Sequence, residues 1–225
     1  MKLAIAIDGP AGSGKSTAAR ELAQKIHFKY LDTGAMYRAV TLKVLKEDLD
    51  VNHEKKIVTF TKKLQLDFTP ASGNKKSRIF VNNKDVTDKL RQPPVNENVS
   101  RIARIKGVRQ LMVEKQRELA NNGNIIMDGR DIGSKVLPEA DYKFYITATL
   151  EERARRRYQD IKEKDPDISF EEVKKSVARR DKIDSERSYS PLIKPKDAYE
   201  IDTTHLSVQE VVNKLYKIIS EGESK

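Results

Sequence analysis

The 225-residue chain contains no cysteine and no tryptophan. Without cysteine there are no disulfides and no thiolate metal sites, which accords with a reducing compartment. Histidine is nearly absent as well. His27, His53 and His205 lie far apart in sequence and form no metal-spaced cluster. Aromatic residues make up 6% of the chain, and no ribonucleoprotein-type aromatic motif is found, which argues against a stacking platform for nucleic acid. Long apolar runs are missing too. The first one is interrupted by Asp8, too early for a signal peptide, and no stretch approaches membrane-spanning length. A soluble cytoplasmic protein with no membrane partner is the expectation.

Charge is abundant. The chain has 44 basic and 34 acidic residues, a net charge of +10. The excess is concentrated between Lys46 and Arg117, with 17 Lys/Arg against 9 Asp/Glu. Such an excess fits nucleic acid, acidic lipid or phosphorylated small molecules as partners. The signs alternate along the chain and no contiguous basic block forms, so a surface that attracts nucleotides is favoured over one that reads polynucleotides. No apolar surface stripe stands out, so a monomer is expected.

The segment Gly9-Pro-Ala-Gly-Ser-Gly-Lys-Ser16 fits G-x-x-x-x-G-K-[ST] at every fixed position. It follows an apolar run, Leu3 to Ile7, that reads as a buried strand. It precedes a helical stretch, Thr17 to Lys25. Strand, glycine loop and helix form the context in which this pattern holds phosphate. Glycines let the backbone turn its N–H groups inward, and the following helix dipole attracts the anion. Lys15 would reach the β- and γ-phosphates, and the Ser16 hydroxyl would ligate Mg²⁺.

The remainder alternates strands and helices, which predicts an α/β fold: a parallel sheet covered by helices on both faces. Strands are expected over 27–31, 124–127, 142–146 and 198–201, and helices over 35–45, 55–64 and 96–120, the last interrupted near Lys106-Gly107. Short strands over 64–68 and 78–81, separated by a polar loop at 71–77, suggest an inserted β-rich lobe. Asn82-Asn83 reads as a tight turn, and Pro93-Pro94 closes the insert. Three S/T-x-x-E capping boxes, from Thr149, Ser169 and Ser207, open three further helices.

Four clusters beyond the glycine loop carry chemistry. Leu31-Asp-Thr-Gly-Ala-Met-Tyr-Arg38 places a polar turn after a strand, on the carboxyl edge where open α/β sheets bind ligands, with Arg38 able to fork onto a phosphate. Asp128-Gly-Arg-Asp131 follows hydrophobic strand residues, and its first acid resembles the Mg²⁺-side acid of P-loop proteins. Arg153, Arg156 and Arg157 share one helical face; Arg180, Asp184 and Arg187 share another. Residues 151–188 hold 12 basic and 11 acidic residues, so a salt-bridged surface hairpin and a mobile lid closing on phosphates both fit. Ser100 and Arg109 would lie on opposite sides of one straight helix and face one pocket only across a break.

Taken together, these motifs resemble bacterial cytidylate kinases, P-loop nucleoside monophosphate kinases, along essentially the whole chain. The stretches are Ile7 to Thr17, Leu31 to Arg38, Asp128 to Gly133, Glu152 to Arg157 and Arg180 to Arg187. The resemblance implies a single three-layer P-loop kinase domain over 1–225, with a monophosphate-binding insert at 64–95 and a helical lid at 153–188. It implies transfer of the γ-phosphoryl of ATP to CMP or dCMP with Mg²⁺. It places ATP phosphates on Gly9, Pro10, Ala11, Gly12, Ser13, Gly14, Lys15, Ser16 and Thr17, with Ser16 at the metal. Thr33, Arg38 and Arg130 fall on the CMP side, the two arginines gripping its phosphate. Ser100, Arg109 and Asp131 would line the cytosine pocket, while Arg180, Asp184 and Arg187 would serve its sugar and phosphate. Arg153 and Arg157 would face ATP. With Lys15, Arg130 and Arg180, those two make up the expected catalytic set. A kinase for UMP or AMP is the alternative within the class. An ATPase acting on nucleic acid is the alternative outside it, favoured only by the net charge.

Overall fold

A computed structural model of the chain describes residues 2–72, 77–163 and 165–222. Five parallel strands form the main sheet: β1 (Ala4–Asp8), β2 (Lys29–Asp32), β6 (Ile125–Gly129), β7 (Tyr142–Thr147) and β8 (Tyr199–Asp202). Their spatial order is β2-β6-β1-β7-β8. Alternation along β1 shows why both faces must be covered. Ile5 and Ile7 pack on one side with α1 (Lys15–Lys25) and α8 (Val208–Gly222), through Ala18, Leu22, Val211 and Leu215. Ala6 points to the other side, where α2 (Thr33–Lys46), α4 (Pro93–Ala103) and α5 (Lys106–Ala120) bury Met36, Val40, Ile102 and Met112. The result is the predicted three-layer α/β arrangement.

Between α2 and α4 come α3 (Glu54–Lys62) and a second, antiparallel sheet of β3 (Leu66–Thr69), β4 (Arg78–Val81) and β5 (Lys84–Asp85). Residues 73–76 of the polar loop expected there lie outside the described residues. Asn82 and Asn83 both take positive φ, 50° and 61°, as a two-residue hairpin turn requires. Phe68, Ile79 and Val81 join the same apolar cluster as α2 and α4, so this sheet has no separate core.

The break in the long helical region differs from expectation. It falls at Arg104-Ile105, with Ile105 extended at φ −67°, ψ 115°. Lys106 and Gly107 instead open α5. The missing side chain at Gly107 serves packing: a Cβ there would sit 2.7 Å from Val58 of α3. Pro93 and Pro94 occupy the first positions of α4, where a missing N–H costs nothing. Ser169 makes a reciprocal capping box with Glu172 and opens α7 (Phe170–Glu186). Thr149 caps α6 (Leu150–Lys162) only one way, because the Glu152 carboxylate is taken by Arg155 and Arg156. Arg187 lies beyond α7 with extended backbone, not on its helical face as expected. No helix among the described residues is long and apolar enough to cross a membrane.

Candidate active site

Because the sheet is parallel, all its strands end on one edge. Asp8 at the end of β1 stands in register with Gly129, and Asp32 with Asp128. Acidic strand ends and the loops after them therefore line a single cleft. Gly9 follows Asp8 directly and passes so close to β7 that a Cβ would sit 2.0 Å from the Ile146 carbonyl oxygen. Gly12 has φ +78°, and a Cβ there would sit 2.8 Å from the Arg153 carbonyl. The loop 9–14 is thus shaped by glycine and delivers the N-terminus of α1 to the cleft. Within it, the buried Lys15 Nζ donates to the Pro10 carbonyl at 3.0 Å. Burial and the Arg130 charge pull the Lys15 pKa down to about 7, with Asp128 opposing.

The Ser16 hydroxyl donates to Asp128 Oδ2 at 2.6 Å, and the Tyr30 hydroxyl to Asp128 Oδ1 at 2.8 Å. Thr33 Oγ1 donates to the Asp128 carbonyl at 2.7 Å, which ties the start of α2 to β6. Burial and nearby Asp32 raise the Asp128 pKa, while Lys15 and the two hydroxyls hold it down. One hydroxyl and one carboxylate, both hard oxygen donors, fit Mg²⁺, which keeps several waters and takes its remaining ligands from phosphate.

A dense set of arginines faces this pair. Arg130 Nε donates to Asp184 Oδ2 at 2.9 Å, joining the turn after β6 to α7. Burial would raise the Asp184 pKa, but Arg130, Arg180 and Arg187 hold it below the usual range. Arg38 stands 3.7 Å from Asp32, the residue that caps α2 by accepting the Ala35 amide. Burial, with Arg130 adding to it, lowers the Arg180 pKa to about 9. Deeper in, the buried Arg109 donates to the Ala103 carbonyl across the α4–α5 break and to Asp131, with its guanidinium 5.1 Å from the Tyr37 ring centre. Arg187 stands 3.6 Å from Asp131. Ser100 is buried on α4. Arg38 Nε, Arg109 Nε, Arg180 Nε and Arg187 Nη2 are all buried without a hydrogen bond. Arg187 Nη2 keeps its longer ion pair with Asp131, whereas the open Nε groups of Arg38, Arg109 and Arg180 are costly unless a polar partner completes them.

The arginines of α6 divide. Arg153 is buried, with Nε on the Ala148 carbonyl at 2.9 Å and Nη1 on the Ala11 carbonyl at 3.0 Å and on Asp181. Arg156 reaches Thr203 instead, and Arg157 stands 3.9 Å from Asp160. The expected shared face of Arg153, Arg156 and Arg157 therefore serves three different places.

Three residues were not singled out by sequence reasoning. Asp8 accepts the Ile132 and Gly133 amides, each at 2.8 Å, which fixes the turn bearing Asp131. Burial raises its pKa to about 7 against those two bonds. Asp181 of α7 accepts the Ala11 amide at 3.2 Å. Arg91, at the end of the second sheet's segment, reaches Asp32 at 3.4 Å. Asp8 and Asp181 sit beside motif residues, but the Ile132 and Gly133 amides that Asp8 accepts and the Ala11 amide that Asp181 accepts are more than 120 positions away, so no local pattern marks them.

Comparison with known proteins agrees with this geometry. The fold is shared with a gluconokinase from Sinorhizobium meliloti, at TM-score 0.50 and 11% identity, over 99% of this chain and 95% of that one. The family model described as cytidylate kinase matches residues 5–221. The cytidylate kinase of Clostridioides difficile is 47% identical over 97% of this chain and 98% of its own. Those of Caldanaerobacter subterraneus and Bacillus subtilis are 46% and 45% identical, over 99% and 98% of this chain and 96% and 97% of theirs. A glycine loop backed by a serine–carboxylate pair, an arginine-lined cleft and a family match along nearly the full chain lead to one assignment: the chain belongs to the cytidylate kinase family.

Proposed function

We propose that the protein transfers the γ-phosphoryl of ATP to CMP or dCMP, giving ADP and CDP or dCDP. The observation that carries this reading is the group of buried arginines, Arg38, Arg130 and Arg180, which act electrostatically on one another, Arg130 and Arg180 also acting on Lys15 of the P-loop. ATP phosphates lie on Gly9 to Thr17. Ser16, backed by Asp128, would hold Mg²⁺, which when bound would supply positive charge against the donor phosphates. Arg38 and Arg130 grip the CMP phosphate, aided by Arg180. Asp131, oriented by Arg109 and Arg187, reads the cytosine amino group, with Ser100 beside it. Asp184 and Arg187 serve the sugar side.

The acceptor phosphate oxygen is already anionic near neutral pH, so the reaction needs no strong general base. Alignment and charge neutralisation supply the rate. Lys15 leaves the Pro10 carbonyl for the donor phosphates. As a polyanion binds, the Lys15 pKa rises from about 7, so ATP binding draws in a proton above neutral pH. Arg153, locked against Ala11, shapes the P-loop wall, and Arg157 remains available to the donor. The segments 64–95 and 153–188 act as the monophosphate-binding insert and the lid of one kinase domain. The enzyme acts as a cytoplasmic monomer without nucleic acid.

Steady-state ADP formation with CMP, dCMP, UMP, AMP, GMP and dTMP as acceptors tests the reading. CMP and dCMP are expected to be the only efficient ones. Lys15→Ala is expected to lower kcat far more than it weakens CMP binding. Unchanged turnover in that variant would remove Lys15 from the mechanism.

A further inference from the structure

We infer that Asp181 is a positioning residue through which α7 links occupation of the donor site to occupation of the acceptor site. The inference rests on the donor and acceptor sites proposed above. α7 touches both halves of the cleft with carboxylates three residues apart, which lie on neighbouring positions of one helical face. On the donor side, Asp181 Oδ1 accepts the Ala11 amide at 3.2 Å. Asp181 Oδ2 takes Arg153 Nη1, and the same nitrogen donates to the Ala11 carbonyl at 3.0 Å. The P-loop residue Ala11 is therefore held at both its backbone groups by one acid–base pair from α6 and α7. On the acceptor side, Asp184 accepts Arg130 Nε at 2.9 Å, and Arg187 stands 3.8 Å from Asp184 just past the helix end.

A continuous helix moves as a unit. A shift of α7 that adjusts Asp184 against Arg130 as the acceptor binds is carried through Asp181 to Ala11. Donor phosphates that order the P-loop act back along the same path. Coupling of this kind is reciprocal between the two ligands. A carboxylate is required, because its two oxygens face two donors. An asparagine would turn its own N–H₂ toward either the Ala11 amide or Arg153.

The test is the dissociation constant of CMP, measured by calorimetry with and without Mg²⁺ and a non-hydrolysable ATP analogue. It is run on the wild type, D181N, D181S and R130A, with thermal melting as the check on folding. The wild type is expected to bind CMP at least about fivefold more tightly with the analogue present, and D181N and D181S to lose that gain to within about twofold while binding CMP alone much as the wild type does. Retention of the gain in either folded variant, or its absence in the wild type, would overturn the inference. If neither variant folds, Asp181 is a structural strut and the inference also falls. Failure of the underlying site reading looks different: CMP alone would not bind the wild type, or R130A would not weaken it.

Discussion

Lys15 and Asp8 illustrate how burial at the edge of a sheet tunes single residues. Both titrate near pH 7, from opposite directions. For Lys15 the consequence is proton uptake when ATP binds without metal at pH 8. Calorimetry in two buffers of different ionisation enthalpy should detect it, and the uptake should vanish in Lys15→Met. For Asp8 the sign follows from linkage. A carboxyl whose folded pKa is raised to about 7 contributes stability that is complete below its unfolded pKa of 3.8 and is lost as pH rises through 7. The advantage of the wild type over Asp8→Asn should therefore shrink between pH 5 and pH 8, by up to about 3 kcal/mol. Urea unfolding at the two pH values measures it, and an unchanged difference would show that Asp8 is not the titrating group. Arg109 adds a caution for mutagenesis. Arg109→Ala would leave the buried Asp131 carboxylate with only its 3.6 Å pair to Arg187, so it should raise the CMP requirement and also cost up to about 3–5 kcal/mol of stability. Activity and melting temperature measured together would show both effects.

At the scale of elements, local pattern was an effective guide where the cause is local. The P-loop, the strands that carry Asp8, Asp32 and Asp128 at or next to their ends, and the capping box at Ser169 are each set by residues within a few positions of one another. Ser169→Ala should cost about 1 kcal/mol and lower the melting temperature without changing KM for either substrate. Where the cause is distant, the pattern misled. Gly107 reads as a helix breaker, yet it is glycine because Val58 of another helix presses against it, and the break falls two residues earlier. The arginines at 153, 156 and 157 read as sharing one helical face. In the fold Arg153 is spent on Ala11 and Asp181, and Arg156 on Thr203. The Asp8 and Asp181 roles depend on contacts across more than a hundred residues, so only the assembled fold displays them.

Across the whole molecule the net charge is +10, and in the cleft Lys15, Arg38, Arg91, Arg130 and Arg180 act on one another electrostatically. Such a field raises the local concentration of anionic substrates and is screened by salt. At low CMP concentration, kcat/KM should therefore fall as ionic strength rises, and stopped addition of polynucleotide should not stimulate ATP turnover. The central claim is that this cleft holds a cytidine monophosphate opposite a P-loop-bound ATP. The most direct measurement is ADP release from ATP and Mg²⁺ across the six monophosphates, with a control lacking acceptor. Strong turnover with CMP and dCMP alone is the predicted result. Equal turnover with UMP or AMP, or ADP release that needs no acceptor, would contradict it.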